Sequence, residues 1–189
     1  MRKVVSWLFI SLDGVVEAPG EWQLPDDFDE AMIADLEAQT TAEDAMLMGR
    51  VTYEEWEPYW PTSTDELYAS HINNIPKYVV STTLDKVKWG RWEKPMLIKD
   101  DLATEISKLK QQSGKNISVG GSPTLVGSLL QENLLDELKL MIHPVVVGKG
   151  KRLFTEGVDL KRMQLVDSKV TGIGVVIVTY QPAKNENEK

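Results

Sequence analysis

The sequence predicts one α/β domain in which a mixed, mostly parallel sheet is covered by helices on both faces, as a three-layer α/β/α arrangement. Strand-forming and helix-forming segments alternate over most of the chain, and parallel strands need such crossover helices. The last segments are long and strand-like and are joined by a glycine-containing turn, which predicts a closing antiparallel hairpin. The 189 residues contain neither an internal repeat nor a linker, so one core is expected.

The first half of the chain supplies the strands and helices that open the domain. Residues 3–11 are rich in β-branched and aromatic types and end in an Asp-Gly turn signal, which predicts a strand. Residues 26–39 place Phe28, Met32, Ile33 and Leu36 on one side, which predicts an amphipathic helix. Further strands are predicted at 45–48, 78–81 and 96–98, and further helices at 51–57 and 64–73.

The second half shows the alternation more clearly. A helix is predicted from Asp100 or Asp101 to Gln112, then a strand at 117–119 and a helix at 123–131. The long strands are predicted at 137–147, 164–171 and 174–180. We therefore expect a single domain over residues 1–182 and a flexible tail over 183–189.

Composition and charge exclude several classes of protein. A formal net charge of -8 repels nucleic acid and anionic membrane surfaces, so neither partner is expected. No stretch approaches the ~20 apolar residues of a membrane span, and the N-terminus lacks the pattern of a signal peptide, so a cytoplasmic protein is expected. There are no cysteines, and His71 and His143 are isolated in sequence, so no metal site is expected.

The strongest local motif is a strand that stops at Gly120-Gly121 and turns directly into a helix. Ser122 is a good N-cap, and Pro123 suits the first helical position. Free amides at the helix start, with the positive end of its dipole, suit a pyrophosphate. A side chain at Gly121 would then occupy the phosphate path. An ordinary strand-to-helix turn is the alternative interpretation.

Two other strand ends carry groups that bind phosphate or ribose. Gly49-Arg50 with Thr52 offers a guanidinium and a hydroxyl at a helix start, although Arg50 taken alone is more typical of a surface arginine. Ser81 and Thr82 place hydroxyls where adenosine could lie. Open α/β sheets bind ligands at the carboxyl edge of their strands, where these ends would gather.

These motifs, followed by Asp136-Glu137-Leu138, by Pro144 to Gly150 and by Phe154, resemble the reductase domain of bifunctional riboflavin deaminase-reductases. That domain belongs to the dihydrofolate-reductase-like superfamily, and the resemblance covers residues 4–180. It implies a dihydrofolate-reductase-like fold and NADPH as the cofactor. Thr82 stands where related enzymes place a basic residue, so a preference for NADPH over NADH depends mainly on Arg50. The implied cofactor-binding residues are Gly49, Arg50, Thr52, Ser81, Thr82, Gly120, Gly121, Ser122, Thr124 and Leu125.

The resemblance also implies residues on the substrate side. The segment from Trp22 to Phe28 is similar to one in dihydrofolate reductases whose carboxylate binds the substrate and assists protonation, which makes Asp27 a candidate catalytic acid. Its alternative is a solvated acid at a helix start. Ser11 and Asp13 resemble a motif that borders nicotinamide and substrate, and Asp13 is either catalytic or shapes the turn. Ser11, Trp22 and Phe28 are the candidate substrate contacts.

The expected function is an NADPH-dependent reductase of a small heterocyclic or ribosylamino substrate, similar to 5-amino-6-(5-phosphoribosylamino)uracil. The chain carries no zinc deaminase half, so a stand-alone reductase and a relative diverted to another substrate are both open. Dihydrofolate reduction is the alternative activity, and a non-catalytic nucleotide-binding module is the alternative of another class. The resemblance implies a homodimer formed through the sheet.

Overall fold

The computed structural model describes residues 1–64, 68–155 and 159–183. Within these residues, eight strands form one sheet: β1 (Val4–Ser11), β2 (Glu43–Gly49), β3 (Lys77–Val80), β4 (Met96–Ile98), β5 (Asn116–Val119), β6 (Glu137–His143), β7 (Met163–Val170) and β8 (Val176–Pro182). The α-helices are α1 (Glu30–Ala42), α2 (Arg50–Trp56), α3 (Ala69–Asn74), α4 (Leu102–Gln111) and α5 (Pro123–Gln131). Across the same residues no helix is long and apolar enough to cross a bilayer.

The sheet has the mixed topology that the sequence predicts. Its strand order is β4-β3-β2-β5-β1-β6-β8-β7, with parallel pairing from β4 to β6 and antiparallel pairing of β8 with β6 and β7. The α/β class and the C-terminal antiparallel hairpin are therefore confirmed.

Helices cover both faces of this sheet, because each face is apolar. On one face, α4 and α5 pack Ile106, Leu109 and Leu129 against the apolar side of β1, β2 and β5. On the other face, Met32 and Leu36 of α1 pack beneath β6 and β8. A further cluster on β2 and β3 includes residues of α2 and α3. The core is therefore divided between two layers, as the sequence predicts.

The first long helix begins later than the sequence predicts. Residues Pro25–Asp27 form a single 3-10 turn, and α1 begins at Glu30 because the Asp29 carboxylate accepts the Met32 amide at 2.9 Å. The helix predicted at 64–73 is observed as α3 from Ala69, and residues 65–67 lie outside the described residues. The predicted tail also lies outside them, except for Ala183.

Strand β6 ends at His143, and the predicted extension to Val147 is wrong. Pro144 has no N–H to continue the ladder, and the Val145 amide instead bonds to the His143 carbonyl at 2.8 Å. The Leu12 amide then donates to the Val145 carbonyl at 2.8 Å. The segment after β6 therefore becomes a loop that covers the end of β1.

A buried lysine ties α3 to the sheet. Lys77 is 3% exposed, and its ammonium donates to the carbonyls of Asn73 at 3.0 Å and Ile75 at 2.7 Å. Nζ also lies 5.0 Å from the centre of the Trp89 ring. Burial lowers the pKa of Lys77 to about 8. These contacts hold the C-terminal end of α3, the helix that carries Ile72 to the functional site.

Candidate active site

The sheet divides between β1 and β5, and this division forms a cleft. β1 pairs with β5 only over Val4–Ser6, whereas it pairs with β6 from Val5 to Ser11. Beyond β5 the chain stays with β2, since the Gly120 amide donates to the Leu47 carbonyl at 3.0 Å. The cleft has a volume of about 460 Å³ and lies between the exposed edge of β1, the turn at 120–124, α2 and the loop at 16–19.

The two glycine turns that the sequence singled out lie in contact at this edge. The Gly49 amide donates to the Gly121 carbonyl at 2.8 Å. A Cβ at Gly49 would lie 2.7 Å from the Ser122 hydroxyl, so this close approach requires glycine. The Gly121–Ser122 peptide bond is cis.

Gly121 itself faces α2 rather than open space. Its φ is +115°, and a Cβ there would lie 2.8 Å from Oγ1 of Thr52. A side chain at Gly121 would therefore first collide with Thr52, which also lines the cleft, and would strain the turn; that it would block a phosphate path stays a prediction.

The start of α5 faces the cleft. Ser122 caps the helix by accepting the Leu125 amide at 3.5 Å, and Thr124 is exposed at the cleft wall. Amides and the positive dipole end at such a position attract an anion. Leu125 differs from its neighbours, since its side chain is buried in the core among Val126 and Leu129. Its side chain therefore does not line the cleft, and its amide is the one that Ser122 caps.

The remaining predicted cofactor residues are set back from the cleft. Arg50 is exposed and pairs with Glu54 at 2.7 Å. The Ser81 hydroxyl accepts the amides of Thr83 at 3.2 Å and Leu84 at 3.1 Å, and Thr82 is exposed beside it. In the described part of the chain, none of Arg50, Ser81 and Thr82 lines the cleft.

Asp13 and Ser11 form a network that organises two loops. The Ser11 hydroxyl donates to Asp13 at 2.7 Å and accepts the Val15 amide at 2.9 Å. Asp13 also accepts the amides of Val147 at 3.0 Å and Gly148 at 2.9 Å. The Ser11 hydroxyl and these two amides lower the pKa of Asp13 to about 2. Asp13 is thus a carboxylate at neutral pH, which favours the turn-shaping alternative over a proton donor.

The other three substrate-side candidates lie behind the cleft wall. The Asp27 carboxylate accepts the Leu24 amide at 2.7 Å. The Phe28 ring meets the Phe9 ring edge-on at 5.9 Å, and Phe9 lines the cleft. The Trp22 ring lies 5.5 Å from the His143 ring, which in turn lies 5.7 Å from Phe9. Phe28 and His143 thus pack against Phe9, and Asp27, Phe28 and Trp22 do not themselves line the cleft.

The sequence analysis missed the aromatic walls of the cleft. Trp7 and Phe9 alternate on β1 beyond the point where β5 ends, and Trp56, Trp60 and Tyr68 face them from α2 and the following segment. The alternation of Trp7 and Phe9 was the available signal. It was uninformative without the pairing of β5, because aromatic residues on a strand are usually core.

A buried carboxylate holds one of these walls. Glu43, which is 5% exposed, accepts the Trp7 indole N–H at 3.3 Å on one oxygen. Its other oxygen lies 2.7 Å from Nε2 of His71. His71, isolated in sequence, is therefore part of a network that fixes the Trp7 ring.

Comparison with known proteins identifies the relatives of this chain. The model of the RibD C-terminal domain family matches residues 2–177. The chain is 29% identical over 187 residues to "Uncharacterized protein YyaP" of Bacillus subtilis (strain 168), covering 95% of this chain and 94% of the relative.

Solved structures share the fold. A putative riboflavin biosynthesis protein from Shewanella sp. PV-4 has a TM-score of 0.74 at 23% identity and covers 96% of this chain and 99% of its own. The diaminohydroxyphosphoribosylaminopyrimidine deaminase/5-amino-6-(5-phosphoribosylamino)uracil reductase of Thermotoga maritima has a TM-score of 0.63 at 15% identity, covering 96% and 57%. Dihydrofolate reductase from Enterococcus faecalis, complexed with NADP(H), has a TM-score of 0.60 at 14% identity, covering 96% and 97%. The fold is therefore dihydrofolate-reductase-like.

The contacts of Asp13 predict a titration near pH 2. Since its folded pKa lies below the value of 3.8 of an ordinary aspartate, the stabilisation from its contacts is present above pH 3.8 and is lost as the pH falls towards 2. NMR of the carboxyl carbon, assigned with Asp13→Asn, should give a midpoint of about 2. Asp13→Asn should also lower the free energy of unfolding at pH 7 more than Asp26→Asn, the same change at an exposed position. A midpoint at or above 3.8 would contradict the network.

Proposed function

The chain belongs to the RibD C-terminal domain family, and on that premise we propose that it is a reductase that transfers hydride from NADPH to a small heterocyclic substrate. The observation that carries the proposal is the cleft itself. It combines the start of α5 with aromatic walls, so that a diphosphate and a planar ring can be held together.

The residues at the division of the sheet fit a dinucleotide. Gly121, Ser122 and Thr124 would hold the diphosphate through backbone amides and hydroxyls, with Gly120 and Thr52 beside them. Arg50 lies at the first position of the adjacent α2. Its ion pair with Glu54 is exposed and therefore weak, so the guanidinium can turn towards a phosphate. Ser81 and Thr82 would extend this surface along the sheet edge towards the adenosine.

The chain's own residues would orient the substrate and exclude water. NADPH supplies the hydride when it is bound. Trp7, Phe9 and Trp56 offer flat apolar surfaces for a planar ring, and Glu43 keeps the Trp7 indole in one orientation. Water exclusion by these walls strengthens the polar contacts inside the cleft.

Reduction of a C=N or C=O bond also adds a proton at the reduced heteroatom. Asp13 is held as a carboxylate by its three donors and does not supply it. Asp27 stays the candidate acid that the sequence resemblance implies, although its carboxylate does not line the cleft in this structure. Burial lowers the pKa of His143. The negative charge of the nearby Asp27 acts in the opposite direction and raises it.

Thr124→Glu tests the proposed diphosphate site. The new carboxylate would stand at the exposed start of α5, where it repels a diphosphate but favours the helix dipole. We expect the Kd of NADPH, measured by isothermal titration calorimetry, to rise about tenfold or more, while thermal stability stays at or above that of the wild type.

Thr104→Glu is the matched control, because Thr104 occupies the exposed first turn of α4 and does not line the cleft. It should leave the Kd of NADPH within about twofold. Equal affinities of the two variants would reject the site at α5, and an absence of NADPH binding by the wild type would reject the proposed function.

We also propose that a second copy of the chain pairs along β7. This strand stands at one end of the sheet, and seven of its eight residues are exposed, Leu165, Val166 and Val170 among them. An edge strand with exposed apolar residues is a template for pairing with another chain. A symmetric dimer would remove that edge from water.

Sedimentation equilibrium at micromolar protein should therefore give the mass of a dimer. The double variant Leu165→Lys/Val170→Lys should be monomeric, because charge on an edge strand opposes pairing. Val146→Lys, at an exposed position in the loop after β6, should remain dimeric. A monomeric wild type would contradict the proposed assembly.

A further inference from the structure

The charges around the cleft bear on which substrate it accepts. Resting on the proposed function, we infer that the substrate is an uncharged, planar heterocycle that carries no phosphate group. The residues of the cleft walls should bind such a molecule more tightly than a phosphorylated molecule with the same ring.

The side chains of the cleft that the structure describes provide no unneutralised cation for a phosphate. Among the described residues that line it, the charged ones are Glu17, Glu55 and Lys151. The Lys151 ammonium lies 3.0 Å from Oε1 of Glu17, and the Lys151 amide donates to Oε2 of Glu17 at 3.2 Å. The Lys151 hydrogen bonds lower the pKa of Glu17, which keeps it charged. The walls therefore carry one negative charge in excess.

The basic loop beside the cleft does not change this balance. Arg152 is turned towards Asp13, whose carbonyl accepts its Nε–H at 2.9 Å and whose carboxylate lies 3.6 Å from its guanidinium. Lys149 is exposed and does not line the cleft. The cations of this loop are thus either paired with a carboxylate, as Lys151 and Arg152 are, or outside the cleft lining, as Lys149 is.

The backbone offers one anion-binding feature along the described cleft walls, the start of α5. Under the proposed function the cofactor's diphosphate occupies it. A phosphate on the substrate would then lie near the carboxylates of Glu17 and Glu55 without a compensating donor. Juxtaposed like charges oppose binding and act as a specificity device.

The remaining surface is aromatic and suits a neutral ring. Trp56 and Trp60 meet edge-on at 5.7 Å, and Trp7 and Tyr68 also line the cleft. Flat apolar side chains bury the faces of a planar heterocycle and leave its polar edge to a few hydrogen bonds. The cleft therefore fits an uncharged ring better than a phosphate ester that carries the same ring.

A matched pair of ligands tests this inference. 5-Amino-6-ribosylaminouracil and its 5′-phosphate would be titrated into the protein saturated with NADP⁺, with the intrinsic tryptophan fluorescence as the binding signal, since Trp7, Trp56 and Trp60 line the cleft. The phosphate-free compound should bind about tenfold more tightly or better. Equal binding, tighter binding of the phosphate ester, or binding of neither compound would overturn the inference.

A charge reversal sharpens the test. Glu55 is exposed on α2, so Glu55→Lys should fold and should place an ammonium in the wall. It should tighten binding of the phosphate ester about fivefold and leave the phosphate-free compound within about twofold. Glu132→Lys makes the same charge change at an exposed position next to the end of α5 and should alter neither. No gain with Glu55→Lys would count against the inference.

The two proposals fail separately. NADP⁺ affinity, measured in a separate titration of the wild type, reports on the proposed function. Normal NADP⁺ affinity with a preference for the phosphate ester rejects only the inference about substrate charge. Loss of NADP⁺ affinity in the wild type rejects the reductase proposal itself.

Discussion

The turn at Gly120 and Gly121 remains hydrogen-bonded to β2 while β1 continues beside β6, and the cleft exists because of this divergence. If β5 continued to pair with β1 beyond Ser6, the two strands would stay in contact and leave no space for a ligand. Gly49 is part of the same constraint, because any side chain there would collide with Ser122. The close packing of the Gly49 and Gly121 turns thus leaves an opening between β1 and β5, and the start of α5 faces this opening.

Carboxylates at the edge of the cleft join neighbouring loops by accepting their backbone amides. Asp13 joins the turn after β1 to the loop after β6 through two backbone amides. Nearby, the Val16 amide donates to the Lys151 carbonyl at 3.0 Å, and the Leu153 amide to the Gly14 carbonyl at 3.0 Å. These bonds bring Lys151 to the cleft already paired with Glu17. The hydrogen bonds between these loops therefore determine which charges lie at the edge of the cleft.

The sequence predicted the layers well because they depend on local periodicity. The alternation of strand and helix signals located β1, α2, β4, α4 and α5 closely, and the Gly120 motif indicated a ligand edge. The ends of strands and helices are harder to predict. Pro144 stops β6, although the valines after it favour a longer strand. Asp29 caps α1, although Asp26 and Asp27 are also suitable residues for a helix start.

The site was only partly predictable, because its walls depend on contacts between distant segments. Asp13 binds amides more than 130 residues away, so nothing local distinguished a catalytic carboxylate from a structural one. Trp7 becomes a wall residue only because β5 ends opposite Ser6. The buried Glu43 pairs with His71 and Trp7 from two other elements. These contacts depend on the order of the strands in the sheet, and the local residue pattern does not specify that order.

A crystal structure of the chain with NADP⁺ tests the central claim most directly. The account predicts that the diphosphate lies against the turn from Gly120 to Thr124 and that the nicotinamide reaches the aromatic walls beside Trp7. A diphosphate bound elsewhere on the sheet edge, with the cleft filled by side chains, would contradict it.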